Sequence, residues 1–190
     1  LPACNADPCP TITVSVSNKT DVKCFGQNNG GATVSATGGG SSYTYTWTGG
    51  LTGATQNTVA QGNYTVTATD NNNCTGQVTV TIGQPTALSA TVTVDQNEDC
   101  GQQNGKLTAN PQGGTSPYTY SWSNGGNSQT ISNLSANTNT VTVTDANNCT
   151  TTAQGTVTNT SGFTATITVN QHETCGQQNG KLTANPQNGA

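Results

Sequence analysis

The sequence predicts an all-β protein built of tandem antiparallel β-sandwich repeats, each about 75 residues long and each holding one internal disulfide. Repetition is the first sign. Trp47 recurs as Trp122 and Cys74 as Cys149, each 75 residues on, and Cys24, Cys100 and Cys175 are spaced by 76 and 75. The run CGQQNGKLTANPQ at 100–112 returns unchanged at 175–187, so whole domains have been copied. The second sign is a period of two: Ile12-Thr-Val14-Ser-Val16, Tyr43-Thr-Tyr45-Thr-Trp47, Tyr64-Thr-Val66-Thr-Ala68 and Val78-Thr-Val80-Thr-Ile82 put apolar residues on one face and Thr or Ser on the other, the pattern of half-buried antiparallel strands. The third is turn chemistry. Gly38-Gly39-Gly40, Gly49-Gly50, Gln61-Gly62 and Asp70-Asn71-Asn72-Asn73 fall between these runs, where positive φ or an Asx turn is needed.

The boundaries follow from the repeat. Residues 1–10 form a cysteine-containing N-terminal segment, 11–84 the first repeat, 85–160 the second, and 161–190 part of a third, which lacks its aromatic strand and second cysteine. The joints, Gly83-Gln84-Pro85-Thr86 and Asn159-Thr160-Ser161-Gly162, are short, which predicts semi-rigid stacking of neighbours over free swinging. A chain that begins at Leu1 and has no Met is expected to be a processed product or an excerpt.

Composition narrows the function. Only 29% of the residues are hydrophobic and only 6% charged, with 23 Gly and abundant Thr and Asn, so the apolar residues suffice for small cores only because they are concentrated in strands. Four lysines against eight acids form no basic patch, which speaks against nucleic acid as a partner. No apolar run approaches the roughly 18–20 residues that cross a bilayer, so no membrane insertion is expected within this window.

Seven cysteines without a Cys-x-x-Cys pair indicate structural disulfides in an oxidising, extracellular compartment. One early and one late cysteine per repeat predicts Cys24 with Cys74 and Cys100 with Cys149, leaving Cys175 to a partner beyond residue 190 and Cys4 with Cys9 to close a small loop or join a preceding element. Under that pairing, stretching would free only about 25 residues of a repeat, on the order of 80–90 Å.

The aromatics Tyr43, Tyr45 and Trp47, matched by Tyr118, Tyr120 and Trp122, are spaced by two and share a face. We read Trp47, Trp122, Tyr45 and Tyr120 as core, with a carbohydrate-stacking platform as the other reading. Asp70 and Asp145 precede Asn-rich turns ending in cysteine, TDNNNC and TDANNC. An Asx turn is the expectation there, and a calcium site is disfavoured by the single carboxylate per turn. His172, matched by Asn97, and the adjacent Glu98 and Asp99, matched by Val22 and Lys23, make no reusable catalytic set. No enzyme activity, metal or cofactor is expected.

The segments GNYTVTATDNNNCTGQVTVTI (62–82) and NTVTVTDANNCTTTAQGTVT (139–158), with CFGQNNGGATVSATGG (24–39) and the YTYTW or YTYSW strand, resemble SprB-type repeats. These occur in tandem in very large cell-surface proteins of the Bacteroidota, including gliding-motility adhesins exported by the type IX secretion system. The resemblance implies an immunoglobulin- or PKD-like sandwich at the cell surface with a role in adhesion or gliding, and it brings no catalytic residues. A stalk or filament is the leading expectation, its partners being neighbouring repeats and like subunits. The others are a module binding surface polysaccharide and a spacer in a larger secreted enzyme.

Overall fold

The computed structural model describes residues 9–160, 162 and 164–187; Cys4 lies outside them. The alternating runs become strands: β1 (Thr13–Thr20), β2 (Gly30–Thr37), β3 (Tyr43–Trp47), β4 (Thr55–Val59), β5 (Gly62–Asp70), β6 (Thr75–Ile82), β7 (Ser89–Gln96), β8 (Glu98–Asp99), β9 (Gly105–Gln112), β10 (Thr119–Trp122), β11 (Thr130–Leu134), β12 (Asn137–Thr144), β13 (Thr150–Val157), β14 (Asn159–Thr160), β15 (Thr164–Gln171) and β16 (Lys181–Gln187). Among the described residues no helix forms.

The first repeat is two three-stranded antiparallel sheets, β1-β2-β4 and β3-β5-β6. Pairing Trp47 with Val66 and Val66 with Val78 sets the register that sends one face of β3 and β5 inward. That face meets Ile12, just before β1, and Val14, Ala32 and Val34 of the other sheet in one apolar cluster with Trp47, Val59, Ala68, Val80 and Ile82. The second repeat repeats the plan with β7-β9-β11 and β10-β12-β13, and buries Leu107, Ala109, Trp122, Ile131, Leu134, Val141, Val143 and Val157. Of the third repeat, β15 and β16 pair as one hairpin. Its Leu182 is 66% exposed, whereas the matching Leu107 is fully buried.

The strand directions fix where the turns lie. Val22 N–H donates to Gly83 O at 2.9 Å and Gly83 N–H to Asp21 Oδ1 at 2.8 Å, so β1 and β6 finish side by side at the trailing end of the first sandwich. The turn after β1, which carries Cys24, is at that end. The turn before β6, which carries Cys74, is at the leading end, where Gly76 packs so closely on Ile12 that an added Cβ would lie 2.3 Å from its carbonyl oxygen.

The chain divides into two compact units. The first runs up to Ser89 and takes in Gln112–Tyr118 and Thr144–Thr150; the second holds Ala90–Pro111, Thr119–Val143 and the residues from Thr151 on.

Trp47 and Trp122 are 4% and 3% exposed, whereas Tyr45 and Tyr120 are half-buried. We therefore expect Trp47→Ala and Trp122→Ala each to cost about 3–5 kcal/mol in denaturant unfolding, and Tyr45→Ala and Tyr120→Ala clearly less. Equal losses at Trp and Tyr would contradict this division of the core.

Candidate functional site: the disulfide joint between repeats

The cysteines do not pair within repeats. Cys9 bonds Cys74 and Cys24 bonds Cys149, while Cys100 is free and exposed, as is Cys175. This corrects three expectations: Cys24 with Cys74, Cys100 with Cys149, and a loop closed by Cys4 and Cys9. The reason is distance. Cys24 and Cys74 lie at opposite ends of the eight-residue β6, about 27 Å of extended chain at 3.4 Å per residue. A disulfide needs its Cα atoms within about 7 Å, and the observed bridges have them at 5.5 and 5.7 Å. The same argument holds for Cys100 and Cys149 across β13, also eight residues.

The Cys24–Cys149 bridge therefore crosses from the first repeat to the second, and the joint around it is hydrogen-bonded from both sides. Asn147 Nδ2 donates to Lys23 O and to Thr115 Oγ1, both at 3.0 Å. Gly26 N–H donates to Gln84 Oε1 at 3.0 Å, and Gly114 N–H to Thr86 O at 2.9 Å. With Gly83 on Asp21, each of the joint residues Gly83, Gln84 and Thr86 is held by a named partner. A shallow cleft of about 360 Å³ beside the bridge is lined by Phe25, Ala87, Leu88 and Asn148; Phe25 is 57% exposed.

Each late cysteine is presented by an aspartate. Asp70 Oδ1 accepts from the N–H groups of Asn72 (2.8 Å) and Cys74 (2.9 Å), and Oδ2 from Gly40 N–H (2.7 Å). Asp145 repeats this with Asn147 (2.9 Å), Cys149 (2.9 Å) and Thr115 (2.9 Å). Both residues are buried, and both turns are closed by an Asn in the left-handed region just before the cysteine, Asn73 and Asn148, a conformation Asn tolerates. Gly39 and Gly114 sit so close that an added Cβ would lie 2.7 Å from the carboxylate. The arrangement is the Asx turn, enlarged by a third donor reaching in from another loop.

These N–H groups decide the ionisation. Gly40 contributes most to holding Asp70 below the ordinary 3.8, with burial opposing it and Cys74 and Asn72 assisting. At Asp145 burial is the largest single influence and pushes upward, but Cys149, Thr115 and Asn147 together outweigh it and the value is again lowered.

The remaining candidates are scattered. His172 is exposed. Glu98 is buried where the first repeat has buried Val22, and accepts from Gln103 N–H (3.0 Å) and Ala136 N–H (2.8 Å) as a loop clamp. Among the described residues no three of His, Cys, Asp and Glu come together as a metal site. Tyr43 and Tyr45, their ring centroids 6.5 Å apart, line an open cleft of about 480 Å³ with Thr46, Thr52 and Gly53, so part of the aromatic strand does face solvent. Its tryptophans turn inward, with Trp47 Nε1–H donating to Gly53 O at 2.8 Å and Trp122 Nε1–H to Ser128 O at 2.9 Å.

A carboxylate whose native value is depressed stabilises the fold above its unfolded value, and that contribution is lost as pH falls through the native one. Thermal stability is expected to hold from neutrality down to about pH 4 and then to fall. Asp70→Asn and Asp145→Asn should each lower Tm at neutral pH, by about 2–4 °C for each kcal/mol lost, and together reduce the acid-side loss. Melts of the variants across pH check this; an unchanged acid limb would remove the carboxylates as its cause.

No curated protein matches the chain. Among solved structures it is similar to a C-terminal 282-residue fragment of intimin in complex with the translocated intimin receptor (Tir) intimin-binding domain, at 16% identity over 84% of this chain and 67% of that one, TM-score 0.39. It is also similar to the N-terminal four Ig domains of Dscam1 isoform 9.44 (11%, 77% and 45%, 0.34) and to the ectodomain of mouse nectin-like molecule 4 (11%, 80% and 65%, 0.34). The chain spans less than half the length of the Dscam1 chain. The family model described as SprB repeat matches residues 16–52, from within β1 to just past β3, and 90–127, from within β7 to just past β10, one match in each complete sandwich.

Proposed function

We propose that this chain is a stretch of an extracellular, adhesin-type stalk at the cell surface, whose role is to carry tension between an anchor and whatever the stalk holds. The observation that carries the reading is the Cys24–Cys149 bridge, which ties one repeat covalently to the next. A spacer that only sets distance needs no such bond. SprB-repeat sequence and disulfides fit the outside of a cell, and adhesion or gliding is the process in which a surface stalk bears shear. No catalysis is assigned to the chain in this reading; its partners are neighbouring repeats and like subunits.

The bridges also set what force can lengthen. Pulled from its ends, the oxidised chain transmits force along 1–24, across the bridge, and along 149–190. The residues between Cys24 and Cys149, which are 125 apart in sequence, are removed from the path. This replaces the expected 80–90 Å for an in-repeat bridge. In single-molecule pulling, reduction should add on the order of 400 Å to the fully extended length, at 3.3–3.6 Å per residue. Cys9→Ser alone should add nothing to the oxidised length. Cys24→Ser should add only about 200 Å, because Cys9–Cys74 then becomes the shortcut. Equal lengthening in the two variants would refute the crossing bridges and the tension-bearing role with them.

A second reading, binding of surface polysaccharide, is favoured by the open Tyr43–Tyr45 cleft. Aromatic faces stack on the apolar faces of sugar rings, and the flanking Thr hydroxyls supply hydrogen bonds. Glycan-array binding by the intact chain that disappears in Tyr45→Ala would establish it, and an empty array would set it aside.

A further inference from the structure

We propose that Cys100 is the trailing-end half of a second joint bridge, and that its partner is the cysteine of a T-D-x-N-N-C turn in the repeat that follows, so that successive repeats are stapled by disulfides staggered one repeat forward. The inference goes beyond the stalk reading and does not depend on what the stalk binds.

Two bonds define the rule. Cys149 passes over Cys100 of its own repeat and takes Cys24 of the repeat before. Cys74 likewise passes over Cys24 and takes Cys9, which precedes its repeat. In both, a late cysteine at the leading end bonds a cysteine supplied from the N-terminal side. Under that rule an early cysteine is always waiting for the next repeat, which is the state of Cys100.

The loop that carries Cys100 is prepared as the Cys24 loop is. Lys23 N–H donates to Asn29 Oδ1 at 3.0 Å, Asp99 N–H to Asn104 Oδ1 at 2.9 Å, and Thr174 N–H to Asn179 Oδ1 at 2.9 Å. In each repeat one Asn side chain thus clamps the residue just before the early cysteine. Cys100 also stands beside its joint as Cys24 stands beside the first. β14 pairs with β8 there, Thr160 Oγ1 bonds Glu98 O and Asp99 Oδ1, both at 3.0 Å, and a Cβ on Gly162 would lie 3.4 Å from Cys100 Sγ. The loop from Cys100 to Gly105 is one residue shorter than that from Cys24 to Gly30, and it brings Cys100 to a φ of 47°. The thiol is left exposed by a loop whose backbone is otherwise tied down.

The chemistry needs an external oxidant, a small-molecule or protein disulfide. The Cys100 thiolate attacks it, releasing one thiol and forming a mixed disulfide; the thiolate of the late cysteine then displaces the second thiol. Two protein thiols and one oxidant disulfide become one protein disulfide and two oxidant thiols.

The test uses two lengthened chains. In one, residues 113–160 are appended after Gln187, completing the third repeat; in the other, a full copy of 85–160 follows Thr160 in place of 161–190. An Ala146→Ser change in the appended copy marks its late-cysteine peptide. After oxidation with oxidised glutathione, non-reduced peptide mapping should show Cys24–Cys149 unchanged, as the internal sign of folding, and Cys100 joined to the marked peptide. Cys100→Ser should leave the marked cysteine open to alkylation, and Cys175→Ser in the first chain should change nothing. Joining of the marked cysteine to the early cysteine of its own repeat would overturn the proposal. So would a Cys100 that stays alkylatable in both chains, or one found only in Cys100–Cys100 dimers.

Discussion

An eight-residue strand is the constraint on which the architecture turns. It holds the early-cysteine turn at one end of each sandwich and the late-cysteine turn at the other, separated by several times the reach of a disulfide. Once the two thiols of a repeat cannot meet, a bridge can form only with a cysteine outside it, and the ends of a tandem array offer one place for that: the joint. The bonds of Gly83 to Asp21 and of Gly26 to Gln84 order the trailing loop within its own repeat. Asn147 Nδ2 on Lys23 O fixes that loop against the leading turn of the next, so that the thiols meet without a search.

The aspartate cradle solves the problem at the other end. A turn such as Asp70-Asn71-Asn72-Asn73 or Asp145-Ala146-Asn147-Asn148 would lose its order easily, and a cysteine at its tip would sweep a wide volume. Three N–H donors converging on one buried carboxylate anchor the turn, and Asn in the left-handed region sets the direction in which the chain leaves it. The carboxylate is thus spent on backbone donors, which is also why the site offers little to a cation: the oxygens that would ligate calcium already accept hydrogen bonds.

Much of this was legible in the residues. Period-two runs, glycine turns and the 75-residue repeat lead directly to antiparallel strands with Trp47 and Trp122 inside. The Asx turn at Asp70 could be read from TDNNNC alone, though not the third donor, Gly40, which arrives from thirty residues away. The disulfide partners were not legible, and the cause is local. Four regular strands lie between Cys24 and Cys74, and four reversals would return the chain to the end it left. The structure adds a fifth pass: Leu51–Gly53 folds back along β3, with Trp47 N–H donating to Leu51 O, Gly53 N–H donating to Tyr45 O, and Thr46 bridged to Thr52. That segment, LTG, has no alternation to reveal it. An odd number of passes places the two cysteines at opposite ends.

Why a stagger should be built at all can be weighed by magnitude. Loop-closure entropy grows only with the logarithm of loop length. A bridge closing 125 residues, as between Cys24 and Cys149, therefore restricts the unfolded chain by only about 0.8 kcal/mol more than one closing some 50 within a repeat. Folding stability barely distinguishes the two designs. Tension does. A bridge inside a repeat leaves each joint as a single strand of backbone on which all force falls, and the residues outside each loop still pay out one repeat after another. A bridge across the joint gives the joint a second covalent path and, of the two sandwiches flanking it, leaves only β1 and β13 in the line of force. In a repeat with a core this thin, mostly Val, Ala and Ile with one Trp, strand pairing offers little resistance to pulling, and on the stalk reading the staggered bond would transfer that task from packing to covalent chemistry.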